Sequence, residues 1–202
     1  MVLLTLLFAI YNLKPRIKIH RYVLLILWIC FSTELVNSIF TYLGISIRIP
    51  YLISFILHHS IWLYLLRENV EYKKGITFFI GLFWIFALVN TVYVQWSDQF
   101  NYYTFIAGTS VYLTFFIIES YRQLNKENIT FFISNNYILL FTPLLFFYGL
   151  SLMFGFKASS IRAYIVYGDL SLYGFIINIS CVAYYLLLNI YIYRESKLDS
   201  NG

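Results

Sequence analysis

Charge is the scarcest commodity in this chain. Charged residues occupy 11% of its 202 positions, against roughly 25% in an ordinary soluble domain. A soluble fold of this size has no interior large enough for the apolar remainder, so that class is excluded. Cysteine is rarer still: Cys30 and Cys181 are the only two, which excludes a disulfide scaffold. A disordered chain and a coiled coil are excluded by the same apolar composition. What is abundant is oil. Hydrophobic residues make up 61% and aromatics 22%, and the mean hydropathy is +0.75. The composition is that of a polytopic membrane protein.

Apolar windows separated by short charged patches cover residues 1–13, 22–43, 51–66, 76–96, 102–121, 131–156 and about 170–193. The second to seventh are long enough, or nearly so, to cross ~30 Å of hydrocarbon at ~1.5 Å per residue. Many β-formers fill them, but isolated strands cannot satisfy their backbone in lipid and nothing alternates as a barrel would. The expected fold is therefore all-α, one bundle of seven transmembrane helices with no soluble domain, or six if the first segment does not span. That first window gives only ~20 Å of helix. It reads as a short first helix, an interfacial segment, or part of a chain starting upstream; the first is favoured.

Orientation follows the basic residues. Lys14, Arg16, Lys18, Arg21, Arg67, Lys73, Lys74, Arg122, Lys126, Arg194 and Lys197 fall in one set of loops, and Arg48, Lys157 and Arg162 in the other. Eleven against three accounts for all fourteen. The expectation is a bacterial inner-membrane protein with the N-terminus outside and the C-terminus in the cytoplasm. The net charge of +5 is then mostly topology, and no direct nucleic-acid binding is expected. Lys14, Arg16, Lys18 and Arg21 form a cytoplasmic basic patch that also attracts anionic lipid.

Ionisable groups inside lipid are costly and mark candidate sites. Glu34 lies within the second span, on a polar stripe with Cys30, Asn37, Ser38 and Thr41 at helical spacing. His58 and His59 sit at matching depth in the third span, so a hydrogen bond or ion pair from Glu34 to one histidine is expected, with only one of the two facing the core. Such a pair serves either as a protonatable sensor or as a packing contact between helices. The seventh span carries a second stripe of Ser171, Gly174, Asn178, Cys181, Tyr185 and Asn189, read as close helix contacts or as the lining of a wet path. Pro143, after Thr142, marks a kink or hinge in the sixth span. Asp169 pairs with Lys157 or Arg162 at the outer rim. Glu119 and Arg122 form an exposed pair at the inner end of the fifth span. Trp28, Trp62 and Trp84 lie inside spans, and Trp96 in the interfacial belt.

Catalysis is not expected. With three histidines, one of them (His20) in a basic loop, a zinc site would need His58, His59 and Glu34 together, which adjacent histidines make awkward. Gly108-Thr109-Ser110 resembles only a fragment of an intramembrane serine-protease motif. No lysine in the last span could hold retinal. No cofactor and no metal are expected.

The frame resembles small bacterial seven-helix membrane proteins of unassigned function, and is similar to the membrane sensor part of certain histidine kinases. The resemblance rests on Glu34, Trp62-Leu63-Tyr64-Leu65-Leu66-Arg67, Phe100-Asn101-Tyr102-Tyr103-Thr104, Tyr121-Arg122-Gln123-Leu124, Tyr148-Gly149 and Asn178. Those relatives open the sixth span with a proline and an aromatic pair including Trp, where this chain has Thr130-Phe131-Phe132. In size and hydropathy it also looks like multi-spanning accessory proteins that accompany RNA-guided CRISPR ribonucleases. The resemblance implies a non-enzymatic module coupling a membrane signal to a cytoplasmic protein partner, a kinase-type signalling protein or an RNA-guided nuclease. The alternatives are an antiphage effector that forms a homo-oligomer and depolarises the membrane, or a small transporter.

Overall fold

The computed structural model describes residues 1–95, 101–156, 161 and 163–200. Trp96, Phe100, Lys157 and Arg162 lie outside the described residues, and with them the belt and rim roles expected of Trp96, Lys157 and Arg162. The chain is 84% helical. Its helices are α1 (Val2–Asn12), α2 (Lys18–Tyr42), α3 (Arg48–Asn69), α4 (Lys73–Val89, prolonged by a π turn at Asn90–Val94), α5 (Tyr102–Asn125), α6 (Ile129–Ile133), α7 (Asn135–Gly155) and α8 (Leu172–Ser200). A two-stranded antiparallel hairpin, β1 (Ile165–Tyr167) and β2 (Leu170–Ser171), precedes α8.

Local chemistry places the breaks. Gly44, at φ +68°, ends α2. Its own N–H donates to the Thr41 carbonyl and that of Ile45 to the Phe40 carbonyl, the paired bonds by which a left-handed residue closes a helix. Ser134 divides the expected sixth window: its hydroxyl accepts the Tyr137 N–H and caps α7, leaving α6 as a separate turn. The last helix continues past the expected boundary to Ser200, because Glu195 and Lys197 face the charged end of the bundle rather than lipid. The hairpin was not foreseen. Its tight turn at Gly168, with φ +54°, is the local signal for it.

Five helices are long and apolar enough to cross a membrane: Lys18–Tyr42, Arg48–Asn69, Lys73–Val94, Asn135–Gly155 and Leu172–Leu198. Length and composition thus support five of the seven expected spans. α1 has 11 residues. α5 has 24, but its tyrosines, threonines and Glu119 lower its hydropathy. On the outside of the bundle Leu35, Ile39, Phe78, Ile85, Leu88, Ile117 and Leu186 are exposed, an apolar belt far larger than soluble proteins tolerate. The five helices and this belt are those of a membrane protein.

Packing orders the helices around α3, which touches α2, α4, α5 and α7. Residues Ile61, Trp62, Leu63, Leu65 and Leu66 are consequently buried on every side of it. The most extensive seam joins α7 to α8. There a Cβ on Gly149 would lie 2.3 Å from the Ser180 hydroxyl, so a larger residue would force that hydroxyl to turn away. α1 packs on α2 and α8, with Asn189 donating to the Thr5 hydroxyl at 3.1 Å. Pro143 is buried within α7, which stays helical on both sides of it.

Two ends result. The basic end gathers Lys14–Arg21, the α3–α4 turn and the start of α7. The hairpin end gathers the α2–α3 loop, the π turn and β1–β2.

Candidate functional site

α1 fills the seam between α2 and α8 on the basic side. Beyond it the seam holds a half-enclosed cavity of about 440 Å³. α2 contributes Cys30, Thr33 and Glu34; α3 contributes Tyr51, Ser54, Phe55 and His58; α7 contributes Phe146, Leu150 and Phe154; α8 contributes Tyr173, Ile177, Cys181 and Tyr185. Every one of these residues lies at the middle of its helix or toward the hairpin end. The cavity is of the size that takes small molecules.

The Glu34 carboxylate is half-exposed on the cavity wall and makes no hydrogen bond or ion pair with a side chain among the described residues. The ammonium of Met1 is within electrostatic reach of it. The expected Glu34–histidine bond does not form. His58 turns instead to α8, its Nε2 lying 3.0 Å from the Tyr184 hydroxyl and 3.2 Å from Trp62 Nε1. The Trp62 N–H also reaches the Tyr184 hydroxyl, at 3.3 Å, so the three side chains form one knot at the edge of the cavity.

Both histidines face the core, against the expectation of one, because α3 is surrounded. His59 is fully buried. Its Nδ1 donates to the Phe55 carbonyl at 2.8 Å, which leaves Nε2 to accept from the Thr109 hydroxyl at 3.3 Å. Its ring stacks on Phe147, with centroids 4.2 Å apart and planes 9° from parallel. Gly108 gives that ring its space. The Gly108-Thr109 pair thus seats His59; Ser110 is exposed and bonds to the Ile106 carbonyl.

The α2 stripe divides. Cys30 and Glu34 meet the cavity, Ser38 and Thr41 are exposed, and Asn37 is buried with both amide atoms unpartnered. The α8 stripe divides as well: Cys181 and Tyr185 line the cavity together with Cys30 of α2. Asn189 holds α1, and Asn178 is exposed. Among the described residues no group of three His, Cys, Asp or Glu is placed to hold a metal ion.

The basic end is a network rather than a row of free charges. Lys18 pairs with Glu68 at 3.0 Å, and Arg67 with Glu68 at 2.8 Å. Arg122 bridges Glu119, at 2.7 Å, and Glu71, which also takes Lys126 at 3.0 Å. Glu119, expected exposed, is 2% exposed: it is paired with Arg122, which also reaches Glu71 of the α3–α4 turn, while Tyr121 and Leu124 on the other side of α5 stay exposed. His20 is no loop residue. It is buried in the first turn of α2, accepts the Lys14 backbone N–H at Nδ1, and meets Glu195 of α8 at 3.2 Å. Asn135 of α7 donates to the same carboxylate. Lys14, Arg16, Lys18 and Arg21 all lie exposed around this junction.

Sequence reading missed Tyr184, Thr109 and the partners of His20. The four-residue spacing of His58 and Trp62 was the available signal for the first; the others come from helices distant in sequence. A polar knot at the hairpin end was also missed: Asn90 in the π turn donates to Gln95, Asn101 and Thr104. No protein family, curated relative or solved structure matches the chain.

Proposed function

We propose that this chain is a seven-helix module of the bacterial inner membrane that reads an event in the Glu34 cavity and passes it to a cytoplasmic protein. In this reading α1 and α5 complete the membrane set. The hairpin end faces outward and the basic end faces the cytoplasm, as the distribution of lysine and arginine favours. The observation that carries the reading is the unpaired Glu34 carboxylate on the wall of a half-enclosed cavity between α2 and α8, two helices tied together again at the basic end by His20 and Glu195.

The route is short. Occupying the cavity draws the walls of α2 and α8 together; the floor, where His58, Tyr184 and Trp62 interlock, resists. The movement is taken up by the His20–Glu195–Asn135 junction. Around it the exposed Lys14, Arg16 and Arg21 offer a surface for an acidic partner.

Hydrogen–deuterium exchange of the protein in nanodiscs tests this coupling with neither ligand nor partner known. Glu34→Gln alters the cavity and is expected to change exchange in the turns at residues 14–18 and 69–73. Exchange unchanged there, with the cavity segments altered, removes the sensor reading.

A second reading, a membrane-depolarising oligomer of the kind that serves antiphage defence, draws support from Ser38, Thr41 and Asn178. All three are polar and exposed on helix faces where another copy could pack. Expression of the chain with a membrane-potential dye decides it: loss of potential favours the oligomer, and a steady potential rejects it.

A further inference from the structure

The cavity has one formal charge and many rings. Among the described residues Glu34 is its only acid, no lysine or arginine lines it, and the Met1 ammonium acts on Glu34 from outside the lining. The other polar groups there are neutral, and His58 Nε2 is already engaged by Trp62 and Tyr184. The aromatic rings of Tyr51, Phe55, Phe146, Phe154 and Tyr173 line the same cavity. An anion entering would meet the Glu34 charge with no cation among the described lining residues to hold it. A neutral apolar molecule would leave the carboxylate desolvated. A cation gains twice, from the carboxylate and from the negative faces of the rings, an attraction that strengthens as water is displaced.

We infer that the cavity is a binding site for a small organic cation, an amine or quaternary ammonium group held by Glu34 with an apolar body lying against the aromatic walls. This deepens the sensor reading and names the class of its ligand; the cation preference and the coupling to the basic end can each fail without the other. The volume of about 440 Å³ sits at the lower end of small-molecule sites, which excludes a whole lipid.

The cavity carries its own reporters. Cys30 and Cys181 both line it, both are free thiols and both are partly exposed. The experiment reacts the wild-type protein in nanodiscs with thiosulfonates of similar size carrying an ammonium or a sulfonate group. Rates at each cysteine are read by peptide mass spectrometry and divided by the rates with a free thiol in solution. The ammonium reagent is expected to be favoured roughly tenfold, the focusing that a charge on the wall of a low-dielectric cleft produces. Glu34→Gln should bring the ratio near one, and Glu34→Asp should retain most of it.

A second arm needs no variant. Benzyltrimethylammonium should slow labelling of both cysteines in the wild type, whereas benzenesulfonate should not. Equal normalised rates for the two reagents in the wild type, or protection by both additives alike, would overturn the assignment. If the cation preference holds and Glu34→Gln leaves exchange at the basic end unchanged, the site stands and the sensor reading falls.

Discussion

Gly108 lies so close to His59 that a Cβ on it would stand 2.6 Å from the imidazole Cδ2 and 2.8 Å from Cγ, with Phe83 at 2.9 Å on the other side. Neither neighbour is the loose end of a flexible side chain. The imidazole is pinned by the Phe55 carbonyl, by Thr109 and by the stack on Phe147. Gly108→Val should therefore cost about 1–3 kcal/mol, the usual penalty for overfilling a packed core. Thermal unfolding in detergent micelles reads it as a lowered midpoint, and Ser110→Val, on the exposed face of the same helix, is the control that should leave the midpoint unchanged.

Tyr184 joins α8 to α3 through His58 and Trp62. Removing its hydroxyl in Tyr184→Phe leaves His58 Nε2 with the single, longer Trp62 bond. Interhelical hydrogen bonds in membrane proteins are worth about 0.6 kcal/mol on average and up to about 1.7, and this one should fall in that range. The emission of Trp62 is expected to shift, since its N–H loses one of two acceptors. With four tryptophans in the chain, the assignment needs Trp62→Phe as the reference.

The polar knot at the hairpin end makes a third test. Asn90 is 1% exposed and supplies Gln95, Asn101 and Thr104 with a donor. Asn90→Leu removes that donor, but Gln95 keeps the Tyr103 N–H and Asn101 keeps the Thr104 hydroxyl, so the cost should be that of a lost hydrogen bond, about 0.5–1.5 kcal/mol. Faster hydrogen exchange in the first turn of α5, with the basic end unaffected, is the expected pattern.

Acid should loosen the basic end from its rim. Lys126, hydrogen-bonded to Glu71, and Arg122 beside it hold the Glu71 carboxyl below the usual carboxylate range. A carboxyl depressed on folding stabilises the fold fully above its unfolded value, near ~4.3, and that contribution is lost as pH falls through the lower folded value. Glu71 is wholly exposed, so salt screens the same contact. Protease cutting in the α3–α4 turn should rise below about pH 4 in low salt, and Glu71→Gln should show that rise already at neutral pH.

How far the sequence disclosed this arrangement depends on what kind of signal each element leaves. Apolar length betrayed α2, α3, α4, α7 and α8, because lipid demands it of any spanning helix. The two shortfalls have one cause each: α1 is short, and α5 trades lipid-facing residues for the threonines and tyrosines that seat His59 and reach α7. Glu34, Cys181 and Tyr185 were legible as polar residues where lipid should lie, and they do converge on one cavity. Glu34 and His58 were matched by depth alone, and depth says nothing of rotation about the helix axis; His58 faces Tyr184 instead. The Ser134 break was hidden inside an unbroken apolar run, and Arg122, the partner of Glu119, also reaches a turn 51 residues away in sequence at Glu71.

The placement of the two ends carries the proposed route from the cavity to a cytoplasmic partner, and labelling in intact cells measures it directly. In a background with Cys30→Ala and Cys181→Ala, one new thiol is placed at the hairpin end by Ser46→Cys, or at the basic end by Lys74→Cys. A maleimide that cannot cross the inner membrane should modify the first in intact cells and the second only after the membrane is opened. Modification of Lys74→Cys from outside, with Ser46→Cys protected, would put the Glu34 cavity on the wrong side of the membrane and contradict the account.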